Sequence, residues 1–219
     1  MLTPEAWSTV RLSLTLAGGA TVLALPAGLA LGWLLARRTF PGKFLLELLV
    51  MLPLVVPPTV TGYALLVVFG RHGPLGGLAW LFTWKAMLVA AAVVGFPLLV
   101  RSAQAAFTAV DPKLSAAART LGCSAPGAFF RVTLPLAWPG LLAGAVLCFA
   151  RALGEFGATR MVSLNTADQR TLALEIYRLV ETPGDHTAAL LSLVAVSLAL
   201  SALALGLCQL LTRRWSHRP

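Results

Sequence analysis

The sequence predicts an all-α, polytopic membrane protein of about five transmembrane helices, folded as one domain over residues 1–219. Three observations predict it. Of the 219 residues, 58% are hydrophobic and 11% are charged, whereas a water-soluble domain carries about a quarter charged residues; mean hydropathy is +0.83. Several apolar stretches reach the roughly 20 residues that a helix needs to cross a bilayer. The basic residues, which give a net charge of +9, gather at the ends of those stretches, where they fix topology and meet anionic headgroups.

The first span covers residues 12–36 without a charge, and the second residues 48–70. The third, residues 80–107, has Lys85 near one end and Arg101 near the other, so both must snorkel toward opposite interfaces. A fourth span begins near Leu134 and continues past Arg151, and the fifth, residues 187–212, is free of charge. Gly18, Gly19, Pro26, Gly28 and Gly32 in the first span, and Gly95 and Pro97 in the third, suit close helix packing. The second span holds Pro53, Pro57 and Pro58. Two readings of that cluster stay open: packing alone, or a kinked helix lining a pathway, since proline frees backbone carbonyls within the membrane.

Ten basic residues fall on one side of this arrangement: Arg37, Arg38, Lys43, Arg101, Lys113, Arg119, Arg131, Arg213, Arg214 and Arg218, with only Glu47 and Asp111 as acids. The excess of Lys and Arg predicts that this side is cytoplasmic, with the N-terminus outside and the C-terminus inside. On the opposite side, residues 160–185 mix charges; Asn165 to Asp168 form a turn and a short helix follows over about residues 171–180. That face is open to solvent or to an external protein.

Residues 111–135 stand apart. Asp111-Pro112 is a helix start, an N-cap acceptor followed by proline where a missing N–H does no harm. Gly122 fits the stop of the helix. Ser124 with Pro126 begins a second short helix, and Leu134-Pro135 marks the return of the chain into the bilayer. A helix–turn–helix along the cytoplasmic surface results, and its small residues Ala116, Ala117 and Ala118 let another protein approach closely.

Several chemistries are excluded. Cys123, Cys148 and Cys208 have neither disulfide nor zinc spacing, no metal site is indicated, and the first residues are unlike a signal peptide. No basic face with interleaved aromatics suggests nucleic acid. An intramembrane enzyme would need a nucleophile–base pair or metal ligands at depth. His72, His186 and His217 lie at span ends or the terminus, and Ser192, Ser197 and Ser201 suit helix packing, so no catalytic residue is assigned. No G-x-x-x-x-G-K-[ST] run is present, so any ATP is bound elsewhere. A stand-alone channel, which would conduct by itself, is the remaining rival.

Small-small-x-x-x-Gly, nine residues, then hydrophobic-x-Leu-Pro resembles the E-A-A-x-x-x-G-x9-I-x-L-P signature of the permease subunits of bacterial ABC importers. Ala117 and Ala118 match the two alanines, Gly122 the glycine, Val132 the isoleucine, and Leu134 and Pro135 the final pair. The leading glutamate is Ala116 here, and Ser115 before it is not acidic either. The resemblance implies a type I ABC importer permease fold with a cytoplasmic coupling helix that docks on a separate ATPase subunit. Without the glutamate, docking rests on shape and apolar contact. The runs Phe149–Thr159, Thr39–Lys43, Leu52–Pro58, Gly95–Leu98 and Glu181–Gly184 resemble the molybdate permease family, with tungstate and sulfate permeases close by. This implies a homodimer in the bacterial inner membrane, two copies of the ATPase that bind ATP and Mg, and an external oxyanion-binding protein. Arg151 and Glu155, four apart on one helix face near the outer end of the fourth span, suit a pathway or gate together with Pro53, Pro57 and Pro58. The bland alternative is a mutual ion pair outside the hydrocarbon.

Overall fold

The computed structural model describes residues 4–164 and 166–216, and every regular element among them is helical. Helix α1 spans Pro4–Arg37, longer at its start than the apolar run alone suggests. Helices α2 (Lys43–Val55) and α3 (Pro58–Phe69) follow, then α4 (Trp84–Ala109) and α5 (Pro112–Thr120). A short helix α6 (Ala125–Ala128) passes through a π-helical turn at Phe129–Thr133 into α7 (Leu134–Leu153). Helices α8 (Gly157–Val162), α9 (Leu172–Glu181) and α10 (Thr187–Ser216) complete the chain.

Helices α1, α4 and α7 form the centre of the bundle. Their shared faces are lined by small residues, among them the buried Ala17, Ala20, Ala24, Ala90, Ala91, Ala103 and Ala137. Lipid tails are as apolar as leucine, so close backbone approach and dispersion, not water exclusion, hold such helices together. Gly32 shows how tight the fit is: a Cβ there would lie 2.5 Å from the Ala103 Cβ. Helix α10 lies at the periphery, with Leu191, Leu198, Leu203 and Leu207 exposed, as expected of a helix whose solvent on one side is lipid.

Among the described residues, four helices are long and apolar enough to cross a membrane, or five if α2 and α3 together count as one span. The second span expected over residues 48–70 is therefore not one helix. Its halves meet at 110°. Two consecutive prolines explain the break: Pro58 pushes the residue before it out of the α region, and Pro57 does the same to Val56, which is extended at ψ 139°. A second correction concerns residues 124–135. Ser124 does begin a helix, its Oγ accepting the Gly127 N–H at 3.2 Å, but the chain makes no turn at Leu134-Pro135. The helix runs unbroken over Ala125–Leu153: the π-helical turn at Phe129–Thr133 shifts the hydrogen-bond register just before Pro135, which has no N–H to continue the ordinary ladder.

The basic termini of the elements share one end of the bundle. Arg37 Nη2 donates to the Val110 carbonyl at 2.8 Å, joining the ends of α1 and α4. Gln104 Nε2 donates to Glu47 Oε1 at 3.0 Å, joining α4 to α2. At the other end, Lys85 sits 5.7 Å from the centre of the Trp80 ring, and the Leu172 N–H donates to Ser13 Oγ at 2.7 Å, tying α9 to α1. Asn165, Arg218 and His217 lie outside the described residues; Ala167–Gln169 form a single 3-10 turn.

Candidate functional site

The elbow at the basic end is built from local rules. Asp111 Oδ1 accepts the Lys113 N–H at 2.9 Å and starts α5, with Pro112 at its first position. Gly122, at φ +92°, stops it. Its left-handed backbone lets the Cys123 N–H reach back to the Ala118 carbonyl at 3.1 Å, satisfying a group the helix end would otherwise leave open. No residue of α5 is buried. Ala116 and Ala117 are exposed and Ala118 is half-buried. Leu121 stands out at 88% exposure with Leu114 also exposed, two apolar knobs on a short polar helix. The rest of the motif does something else. Val132 lies on the π turn, Leu134 packs against the buried cluster of Phe107, Val110 and Ala137, and Pro135 is exposed. The first half of the motif is exposed, and in the second half Leu134 anchors the chain to α4 and α7.

At the opposite end lies the second group of candidate residues. Arg151 Nη1 donates to Glu155 Oε2 at 3.0 Å. The pair is not on one helix face as expected: α7 ends at Leu153, and Glu155 sits beyond its Gly154 cap. Its side chain is 1% exposed, against 28% for Arg151. Glu155 Oε1 accepts the Ala158 N–H at 2.7 Å, so the carboxylate caps α8 while neutralising Arg151. A buried carboxylate needs such partners. Helix α8 in turn packs on α3: a Cβ at Gly157 would lie 2.8 Å from the Pro58 Cβ, and one at Gly62 would lie 2.8 Å from the Ala158 Cα. The break before Pro58 and the break after Leu153 thus lock together. Pro53 is not part of this lock. It sits inside α2, on an apolar groove of about 410 Å³ shared with Leu49, Ala27, Val93 and Phe96. Pro57 is exposed at the break itself.

A family model described as the binding-protein-dependent transport system inner membrane component matches residues 28–217. This chain belongs to that family. It is 45% identical to the Molybdenum transport system permease protein ModB of Escherichia coli (strain K12), over 100% of this chain and 96% of that protein. It is likewise 45% identical to ModB of Haemophilus influenzae, over 91% of both chains. The Putative molybdenum transport system permease protein YvgM of Bacillus subtilis is 41% identical over 84% of this chain and 85% of that protein. Among solved structures, a bacterial ABC transporter involved in the import of the acidic polysaccharide alginate superposes with a TM-score of 0.71 at 16% identity, covering 98% of this chain and 80% of that one. The MetNI methionine ABC transporter in its inward-facing conformation gives 0.69 at 18% identity, covering 98% and 96%. The fold of this family member is therefore the type I ABC importer permease fold that its sequence resemblance implies.

Sequence reasoning missed Gly62 and Gly157, whose contacts join the two breaks. Their only signal was a glycine near a proline pair and another in a Gly-Glu-Phe-Gly run, which does not say which helix each will meet. Among the described residues, no group of three His, Cys, Asp or Glu side chains could hold a metal ion.

Proposed function

We propose that this chain is the membrane-spanning permease subunit of an ATP-driven ABC importer that translocates molybdate, or the isosteric tungstate. It works as a homodimer in the bacterial inner membrane, with two copies of an ATPase that binds ATP and Mg and an external protein that delivers the oxyanion. Its basic end faces the cytoplasm, with the N-terminus outside. The chain itself performs no hydrolysis.

The observation that carries this reading is the elbow: a rigidly capped helix without a buried residue, presented beside the membrane by a chain that has no P-loop of its own. The full-length likeness to molybdenum permeases supplies the substrate class. Residues Ala116, Ala117, Ala118 and Gly122 form the surface that the ATPase holds; Leu134 fastens it to the bundle, and Val132 and Pro135 flank that anchor. Mechanically, the Ala125–Leu153 helix has 29 residues and is about 43 Å long at 1.5 Å per residue. A push on α5 reaches the far end of that helix, where Gly154 and Glu155 lead directly into α8 and its contact with Pro58. Movement of the elbow is thereby relayed to the locked breaks, with Pro57 and Pro58 as the hinge of the α2–α3 pair and Pro53 lining its inner half. Arg151, the half-buried and more accessible member of its ion pair, offers a positive charge to a passing dianion, and Glu155 holds it in place. Neither residue binds tightly, as conduction requires.

The test is uptake of labelled molybdate by cells expressing the chain with its neighbouring ATPase and binding-protein genes. Uptake that depends on ATP and resists a hundredfold excess of sulfate is expected. Efficient competition by sulfate would reassign the complex to a sulfate permease, and conduction by the purified chain alone would make it a channel.

A further inference from the structure

The inner side of the elbow holds a cavity of about 320 Å³ between the end of α1, α5 and the α6–α7 start. Its wall includes Arg37, Arg38 and Arg119, with Ser115, Ala116 and Trp33, and among the described residues no acidic one lines it. Arg37 is held by the Val110 carbonyl; neither Arg38 nor Arg119 has an acidic partner among the described residues. Beside it, sharing Trp33, Arg38 and Phe129, opens an apolar cavity of about 380 Å³ that extends to Pro126 and the exposed Phe130. The Trp33 and Phe129 rings meet edge to face at 6.0 Å and form a wall common to both. Three cations converge on a chamber with no counter-charge, next to a greasy slot.

We infer that this double cavity is a binding site for the phosphate headgroup of an anionic phospholipid of the adjoining leaflet. The arginines would take the phosphodiester oxygens through paired N–H donors. The glycerol and first acyl carbons would lie against Trp33, Phe129 and Phe130. Indole rings favour this depth of the bilayer, and basic pockets between membrane helices are the usual seats of acidic headgroups. A glutamate at the wall position of Ala116 would put a carboxylate among the arginines, whereas alanine leaves them to an external anion. The inference is independent of what the chain transports.

The test uses the full-length protein in nanodiscs, with Trp33 as reporter. Quenching by dibrominated phosphatidylglycerol is compared with quenching by dibrominated phosphatidylcholine, and the Trp33→Phe variant subtracts the other tryptophans. Preferential quenching by phosphatidylglycerol is expected. The Arg38→Gln/Arg119→Gln double variant should lower the relative affinity by about 30-fold, on the basis of the contribution of each basic side chain near a charged surface. Ala116→Glu should lower the preference without removing any cation, which keeps the test valid if the double variant folds poorly. Equal quenching by both lipids, or a preference unchanged in both variants, would overturn the assignment. Millimolar inorganic phosphate at constant ionic strength, if it displaces the lipid, would assign the arginines to a soluble oxyanion and overturn it too. Loss of the preference when a copurifying ATPase is bound would show the pocket to be covered by protein, which also refutes it.

Discussion

Replacing Gly157 by alanine adds one methyl group at the point where the two helix breaks touch. The new Cβ would stand 2.8 Å from the Pro58 Cβ, 3.2 Å from the Thr59 nitrogen and 3.4 Å from the Pro58 carbonyl carbon. None of these atoms belongs to a flexible side chain: the proline ring is rigid and the other two are backbone. Carbon atoms rest at about 3.5–4.0 Å, so α8 must move from α3 by roughly half an ångström or more. Overpacking of this kind costs about 1–3 kcal/mol, offset by up to about 1 kcal/mol because alanine loses less entropy than glycine in a helix. A net loss of about 1–2 kcal/mol corresponds to a fall in Tm of roughly 2–8 °C for a domain of this size. Gly154→Ala is the matched control. It lies three residues away at φ −86°, and its Cβ would meet only the Ala150 carbonyl oxygen at 3.9 Å, so its Tm should hold or rise slightly. Thermal unfolding of both variants in nanodiscs, followed by tryptophan fluorescence, decides the matter. Equal Tm values for the two would mean that α3 and α8 do not meet as described, and the relay from elbow to hinge would lose its last link.

Other perturbations probe the remaining parts. Glu155→Ala removes the cap of the buried Ala158 N–H and strands Arg151, at a cost of about 2–3 kcal/mol after discounting the partial exposure of the arginine; Glu155→Gln, which keeps the acceptor, should lose about half as much in the same unfolding assay. Gly122→Val forces a β-branched residue to φ +92°, a strain of about 1–3 kcal/mol confined to the exposed elbow; copurification of the ATPase and molybdate uptake should both fall while the membrane level of the protein stays unchanged. Asp185, ahead of α10, accepts the Thr187 N–H at 3.1 Å, and the hydroxyl and N–H of Thr187 hold its carboxyl below the ordinary value of 3.8. A depressed folded value means the cap is fully present above that ordinary value and is lost as pH falls through the lower folded one. Hydrogen exchange at the start of α10 should therefore stay constant from neutral pH down to about 4, once the intrinsic pH dependence is removed, and accelerate only below it; acceleration already at pH 6 would contradict the cap.

What could be read in advance was whatever depends on neighbours along the chain. Four of the five expected bilayer spans followed from uninterrupted apolar length, the α5 helix from Asp111-Pro112 and Gly122, and its exposure from the small and polar residues it carries. Each rests on hydropathy, capping or backbone conformation, which act over a few residues. The continuous helix through Pro135 was not legible, because a π turn that absorbs a proline is chosen by how Leu134 and Phe129 pack on α4. Glu155 was misplaced for a similar reason. Four-residue spacing suggested a shared helix face, but the helix ends two residues earlier, and the carboxylate that pairs with Arg151 also accepts the Ala158 N–H.

The sequence by itself determined that this chain lives in lipid, which end is basic, and where a short polar helix stands exposed at that end. Only the tertiary structure decided that Pro58 rests on Gly157, that one unbroken helix joins the elbow to that contact, and that Arg37, Arg38 and Arg119 face one chamber. Hydropathy and capping are properties of short segments, whereas those three meetings depend on distances between residues up to about a hundred positions apart, which are set when α1, α4 and α7 close on their alanine faces.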